Sequence, residues 1–254
     1  MLVVAVTIGI YRYSKLQQSQ PSGFVARKTA LKQLPYLEFT ANLRKSAGDQ
    51  RQHALIKLPN NLMVLCTSDP NSTQAAGALS VNIGSFADPP ELQGLAHFLE
   101  HMLFMGTKKY PQEGEYVAHI DKYAGAYNAF TTVDTTTYFF SIANEVFEET
   151  LDRFSRFFID PLLPPDSIDR ELHAVDSEHK GNLQNNRRRE FQVQRTLSNR
   201  SHPFSYYSGG NLQTLRDSSK QLGWDIRERL LWFYNEYYSA DIMKLSMKQF
   251  CKPF

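Results

Sequence analysis

One five-residue segment, residues 97–101 (HFLEH), constrains this chain more than any other feature of the sequence. Its two imidazoles are four residues apart, so on an α-helix they project in nearly the same direction, one turn from each other. Glu100 follows His97 by three residues and shares that face. Two histidines with a carboxylate between them are the minimum set for binding zinc and activating a water with a general base.

The flanking residues favour a buried helix over an accidental surface pairing, which any short motif risks. Residues 88–90 (DPP) predict an N-cap and a first turn, and Gly106 predicts the end of the helix. Apolar residues recur between them at helical spacing: Leu92, Leu95, Ala96, Leu99, Met102 and Leu103. Since unpaired buried histidine and glutamate are costly, a bound metal would explain their position.

A second helix carries the candidates for a third metal ligand. It is predicted to begin at residues 164–167 (PPDS), and it places Glu171 and Glu178 nearly two turns apart on one face. Spacing alone leaves the choice of ligand open. The candidates are Glu171, His173, Asp176, Glu178 and His179.

Groups of strands alternate with groups of helices along the rest of the chain. Strand patterns cover residues 54–58, 62–68, 78–85, 127–132 and 135–142, and helix patterns cover 116–123, 144–159 and 225–238. This order predicts an α+β domain with a mixed, mostly antiparallel β-sheet covered by helices. A phosphate-cradling glycine pattern is absent from the sequence.

The two ends of the chain are predicted to lie outside this domain. Residues 1–11 are apolar but too short to span a bilayer, which takes about 20 residues, and they lack the positive start of a secretory signal. Residues 14–35 have the polar composition of a linker. We therefore expect an extension over residues 1–35, a folded domain over 36–246 and a divergent tail over 247–254, with a short N-terminal membrane anchor as an alternative.

Charge and cysteine content exclude other classes of protein. The 28 basic and 26 acidic residues give a net charge of +2, so nucleic-acid binding is not expected. Residues 187–189 (RRR) are interpreted as a solvated helix face. Cys66 and Cys251 form no disulfide framework, which favours a cytoplasmic location, with a mitochondrial one as an alternative.

Residues 94–111 (GLAHFLEHMLFMGTKKYP) resemble the inverted zinc motif of the pitrilysin family, and within it the insulin-degrading enzyme branch. Further similar segments are residues 125–131 (GAYNAFT), 151–158 (LDRFSRFF), 169–179 (DRELHAVDSEH) and 202–205 (HPFS). With shorter matches at residues 45–46, 49–51 and 68–70, the resemblance covers roughly residues 42–246, and the 76 residues between His101 and Glu178 match the family's spacing.

The resemblance implies a zinc metalloendopeptidase that hydrolyses short or unfolded peptides with one zinc ion per chain. It implies that His97, His101 and Glu178 are the zinc ligands and that Glu100 activates the water. It also implies that Glu171 is a second acidic residue that orients a ligand or supports the water.

The resemblance further implies that an edge strand containing Asn128, Ala129 and Phe130 pairs with the peptide substrate. Phe104 and Phe130 would line the pocket beside the cleaved bond, although both could simply belong to the core. One position departs from the family, because Arg188 stands where the insulin-degrading enzyme branch has a tryptophan. The substrate pocket is therefore expected to differ there.

The sequence beyond residue 245 also departs from the family, whose members continue into a second half that closes over the peptide. We expect this chain to be a truncated product or an incomplete gene model, with such a C-terminal half or a second copy of the chain as a partner. Three hypotheses remain open: a zinc peptidase, a non-catalytic product that still binds zinc or partner chains, and a subunit of a two-chain processing peptidase similar to the mitochondrial one.

Overall fold

A computed structural model describes residues 24–28, 35–41 and 44–249 of the chain. Its eight strands form one sheet in the order β1-β2-β3-β4-β8-β5-β7-β6. Strands β4 and β8 run parallel, and every other neighbouring pair is antiparallel. The strands are β1 (Phe24–Lys28), β2 (Pro35–Phe39), β3 (Gln52–Lys57), β4 (Met63–Ser68), β5 (Gln74–Val81), β6 (Ala126–Thr131), β7 (Thr136–Ala143) and β8 (Met243–Gln249). The predicted α+β class with a mostly antiparallel sheet is confirmed.

Seven α-helices and several shorter helical turns connect these strands within the described residues. The α-helices are α1 (Leu95–Met102), α2 (Glu115–Lys122), α3 (Phe147–Ser155), α4 (Pro165–Asn182), α5 (Asn186–Leu197), α6 (Ser218–Gln221) and α7 (Ile226–Tyr237). The 3₁₀ turns are Ser85–Ala87, Leu103–Met105, Asn144–Val146, Arg156–Phe158, Pro203–Ser205 and Ala240–Ile242, and Gln213–Asp217 is a π-helical turn. None of the helices in the described ranges is long and apolar enough to cross a membrane.

One face of the sheet packs against the helices, and this determines the strand register. Alternate residues of β7 and β5, such as Tyr138 and Leu79, are fully buried on that face, while Phe139 on the opposite face is exposed. Helix side chains, including Phe98 of α1 and Phe154 of α3, complete the core. Because side chains alternate across a strand, a one-residue slip would expose the whole buried set.

The sheet has strands on both sides of the boundaries, 36–246, that the sequence predicts for the domain. Strand β1 lies in the predicted extension and pairs with β2. Its five residues are too few to show a clear strand pattern in the sequence. Strand β8 continues into the predicted tail and occupies the middle of the sheet, between β4 and β5. Its signal is a two-residue alternation in which Met243, Leu245 and Met247 are buried. The apolar run over residues 1–11 and Cys251 lie outside the described residues.

The start of α1 differs from the prediction because the chain makes a turn before entering the helix. Asp88 is not the N-cap residue; Gly94 is, in the left-handed conformation. The Asp88 carboxylate nevertheless accepts the backbone N–H groups of Gly94 and Ala96, each at 2.8 Å. A buried side chain six residues upstream therefore caps the helix, which sequence spacing cannot reveal.

Gly94 also permits the closest backbone approach near α1. Its φ is +94°, and a Cβ at this position would lie 2.2 Å from the Cα of Gly210. Gly114, the N-cap residue of α2, has a similar φ of +76°, but a Cβ there would meet nothing within 4 Å. A residue with a side chain would therefore be strained in its backbone at either position, but only at position 94 would its Cβ also clash with neighbouring backbone.

We expect Gly94→Ala to lower the free energy of unfolding by about 3 kcal/mol, because the methyl group must displace backbone atoms as well as adopt a strained φ. Gly114→Ala carries only the conformational cost, about 1 kcal/mol. Urea denaturation of both variants measures the difference. Equal losses would show that the contact between Gly94 and Gly210 contributes little to stability.

Candidate metal centre

Helices α1 and α4 bring together three side chains with metal-binding atoms: His97, His101 and Glu178. The Nε2 atom of His97 lies 3.6 Å from Oε2 of Glu178, and Nε2 of His101 lies 3.5 Å from Oε1 of the same carboxylate. One ligand atom from each residue can be chosen so that all lie within 4.8 Å of one another. We call these residues the triad.

The outer nitrogen of each triad histidine contacts an acceptor that fixes the ring. The Nδ1 atom of His97 donates a hydrogen bond to the carbonyl oxygen of Gly209 at 2.6 Å. On His101, Nδ1 lies 3.5 Å from Oε2 of Glu171. Both contacts leave Nε2 directed into the triad, which is how protein metal sites commonly orient their imidazole ligands.

The pKa values of the two histidines shift in opposite directions. Burial lowers the pKa of His97, and the neighbouring charge of His101 lowers it further. Burial also opposes protonation of His101, but the hydrogen bond with Glu171 and the charge of Glu178 together raise its pKa. The same contact with His101 lowers the pKa of Glu171. His97 is therefore readily available as a neutral ligand, the form that metals bind.

Glu100 lies beside the triad in a nearly buried position, with 7% of its surface exposed. The hydroxyl of Thr131, at the end of β6, donates a hydrogen bond to its Oε2. Burial raises the pKa of Glu100 to about 7, and the hydrogen bond from Thr131 opposes that shift. A carboxyl group with a pKa near neutrality can both accept and release a proton.

The other candidate ligands on α4 are engaged elsewhere. His173 is an exposed partner of Asp169, with 3.7 Å between Nε2 and Oδ2. The Nδ1 atom of His179 is hydrogen-bonded to the Tyr207 hydroxyl at 2.7 Å. Asp176 pairs with Lys180 at 2.7 Å. In the part of the chain that the structure describes, the triad is the one cluster of this kind with metal-compatible spacing.

Strand β6 is an edge of the sheet and forms one wall of a cleft of about 510 Å³ over the triad. Asn128, Ala129 and Phe130 all line this cleft. The backbone N–H of Ala129 donates a hydrogen bond to the side-chain oxygen of Asn128 at 2.8 Å. An edge of this kind can pair with an extended peptide.

The two phenylalanines predicted for the pocket occupy different environments. Phe130 is 48% exposed at the cleft. Phe104 borders the cleft but is partly buried, and its ring lies 5.1 Å from that of Phe157 and 5.4 Å from that of Tyr127. Phe104 therefore packs against the core and also lines the cleft.

Several residues of this site were missed by the sequence analysis. Thr131 reaches Glu100 from the end of β6, and Gly209 reaches His97 from a distant loop. The glycine pair at 209–210 indicates a tight turn, but nothing in the sequence says what the turn contacts. Arg188, identified only as a departure from the family, lines the cleft together with the triad.

The donor set fits a zinc ion. Two imidazole nitrogens and one carboxylate oxygen are ligands that zinc takes in catalytic sites, where a fourth position stays open. The acceptors behind both imidazoles supply the ring orientation that such a site needs.

Comparisons with known proteins identify the family to which the chain belongs. The family model described as Insulinase (Peptidase family M16) matches residues 63–201. Human insulin-degrading enzyme is 45% identical over 202 residues, which cover 80% of this chain and 20% of the human protein. The A-factor-processing enzyme of Saccharomyces cerevisiae is 45% identical over 207 residues, covering 82% of this chain and 20% of the yeast protein.

The crystal structure of pitrilysin superposes with a TM-score of 0.81 at 36% sequence identity. The alignment covers 86% of this chain and 23% of the pitrilysin chain. The chain thus spans about a fifth of the length of the curated relatives it matches. With a family match over more than half of its residues, the chain belongs to the insulinase family of peptidases, family M16.

Proposed function

We propose that this chain is the catalytic domain of a zinc-dependent metalloendopeptidase that hydrolyses peptide bonds of short or unfolded peptides. The observation that carries the proposal is the convergence of the triad with a nearly buried glutamate, Glu100, beside an open strand edge. The chain spans only a fifth of the length of its relatives, so we also propose, by similarity to them, that the whole protein hydrolyses peptides.

His97, His101 and Glu178 would hold the metal, and Glu171 would orient His101. When bound, a zinc ion supplies a Lewis acid that polarises a carbonyl group and lowers the pKa of water. The two histidines would bind as neutral imidazoles through Nε2, since Nδ1 of each ring is engaged outside the triad.

Strand β6 would position the substrate. The backbone of residues 128–130 can pair with an extended peptide, after the Asn128 side chain gives up the N–H of Ala129 to a peptide carbonyl. Pairing of this kind recognises the peptide backbone and so needs an unfolded or short substrate. Exposed Phe130 would add an apolar contact for a substrate side chain.

Glu100 would move the proton. Its carboxylate would accept a proton from the attacking water as the new carbon–oxygen bond forms, and would return that proton to the nitrogen of the leaving amine as the carbon–nitrogen bond breaks. The hydroxyl of Thr131 holds one oxygen of that carboxylate. The other oxygen is then free to face the reacting groups.

The purified chain is expected to bind one zinc ion. His97→Ala or Glu178→Gln should lower zinc affinity by at least about 100-fold, because each removes a ligand. His173→Ala is the matched control, since this exposed histidine of α4 lies outside the triad. Metal content after dialysis and the zinc-dependent shift in Tm measure the effect. Unchanged binding in the two ligand variants would refute the assignment.

Glu100→Gln should retain zinc but lower the rate of hydrolysis of an internally quenched peptide by 10²- to 10⁴-fold, the contribution typical of a general base. Exposed Glu91→Gln serves as the control with the same chemical change. Turnover at the unmodified rate would remove Glu100 from this role. If neither the unmodified zinc-loaded chain nor any variant hydrolyses the peptide, the proposed peptidase activity of the isolated domain is contradicted.

A further inference from the structure

Arg188 is the one lysine or arginine among the described residues that line the cleft over the triad. It lies in the first turn of α5, where its backbone N–H donates a hydrogen bond to the side-chain oxygen of Asn185 at 3.2 Å. This bond fixes the start of the side chain, and the residue itself is exposed. A cation is therefore presented at the cleft from an anchored backbone position.

The guanidinium of Arg188 has no carboxylate within 4 Å among the described residues. Nearby cations on α4 differ in this respect. Arg170 lies 2.5 Å from Glu113, and Lys180 lies 2.7 Å from Asp176. Arg188 is thus the basic side chain of this cleft, and within the described part of the chain no carboxylate lies close enough to pair with it, so its guanidinium is available to an anionic group of a ligand.

Arg188 is also close to the triad. Burial lowers the pKa of His97 and the charge of Arg188 adds to that shift, whereas burial raises the pKa of Tyr207 and the charge of Arg188 opposes that rise, so the guanidinium lies within electrostatic reach of both side chains. The three carboxylates of the cleft, from Glu100, Glu171 and Glu178, would attract a metal cation, whereas Arg188 would repel it. The guanidinium is therefore suited to an anionic group of a ligand and not to the metal.

The cleft residues of α4 indicate how many peptide residues separate the triad from the side of the cleft that leads to Arg188. Glu178 and Asn182 both line the cleft and are one turn apart, a rise of about 6 Å. Arg188 lines the cleft beyond Asn182 in the chain. An extended peptide advances about 3.3 Å per residue, so a group one or two residues from the metal would reach this region.

We propose that Arg188 binds a carboxylate of the peptide in the cleft, carried one or two residues from the scissile bond. This inference rests on the proposed peptidase function and names its substrate class: peptides with an acidic group beside the cleaved bond. That group is either an aspartate or glutamate side chain or the terminal carboxylate of a short peptide. A guanidinium matches either through two parallel N–H···O bonds.

Binding of matched fluorescent peptides tests the inference without requiring turnover. The zinc-loaded Glu100→Gln chain is titrated with peptides that have glutamate or glutamine beside the central bond, each with a free or an amidated C-terminus. We expect the glutamate peptide to bind about tenfold more tightly than the glutamine peptide, or the peptide with a free C-terminus to bind about tenfold more tightly than the amidated one, as a charge-assisted pair should. The two amidated peptides lack a terminal carboxylate, so any difference between them measures the effect of the glutamate side chain alone.

Arg188→Gln, combined with Glu100→Gln, should abolish that preference, and Arg188→Glu should reverse it toward a lysine peptide. Arg189→Gln is the matched control, since this exposed neighbour does not line the cleft, and it should retain the preference. Equal binding of all peptides, binding of none, or a preference that survives in Arg188→Gln would overturn the inference.

Cleavage of the same peptides by the unmodified zinc-loaded chain separates the two proposals. A binding preference without any cleavage supports the assignment of Arg188 and contradicts the peptidase function. Cleavage of all peptides at equal kcat/KM, together with equal binding, supports the function and overturns the assignment of Arg188.

Discussion

The close packing of α1 against the loop at residues 209–210 is the contact on which the site depends. Gly94 and Gly210 approach so closely that a single Cβ would clash with backbone. The same approach brings the Gly209 carbonyl to His97, whose ring then points at Glu178. A short apolar helix can thus bury charged side chains because backbone groups and a second helix satisfy them.

The edge of the sheet links this helix to the strand proposed to bind the substrate. Among the described residues β6 is the last strand of the sheet, and Thr131 at its end holds Glu100, so the proposed base and the proposed peptide-pairing edge are parts of one connected structure. The role proposed for Arg188 would add a different kind of selectivity. Backbone pairing accepts most extended peptides, whereas an unpaired guanidinium would distinguish among them by charge.

Much of this arrangement could be predicted from the sequence, because helical spacing puts His97, Glu100 and His101 on one face whatever the fold. The choice of Glu178 over its neighbours on α4 was not determined by spacing and came from a family resemblance. Contacts between distant segments left no local signal: the capping of α1 by Asp88 and the bond from His97 to Gly209 depend on how loops pack. Strand β8 was missed although Met243, Leu245 and Met247 alternate clearly, because the resemblance ended there.

The central claim is that two imidazoles and one carboxylate hold a zinc ion between α1 and α4. X-ray absorption at the zinc edge of the loaded chain tests it directly. We predict two imidazole nitrogens and carboxylate or water oxygens at about 2.0–2.2 Å, with one imidazole lost in His101→Ala. A sulfur ligand at about 2.3 Å, or an unchanged imidazole count in that variant, would contradict it.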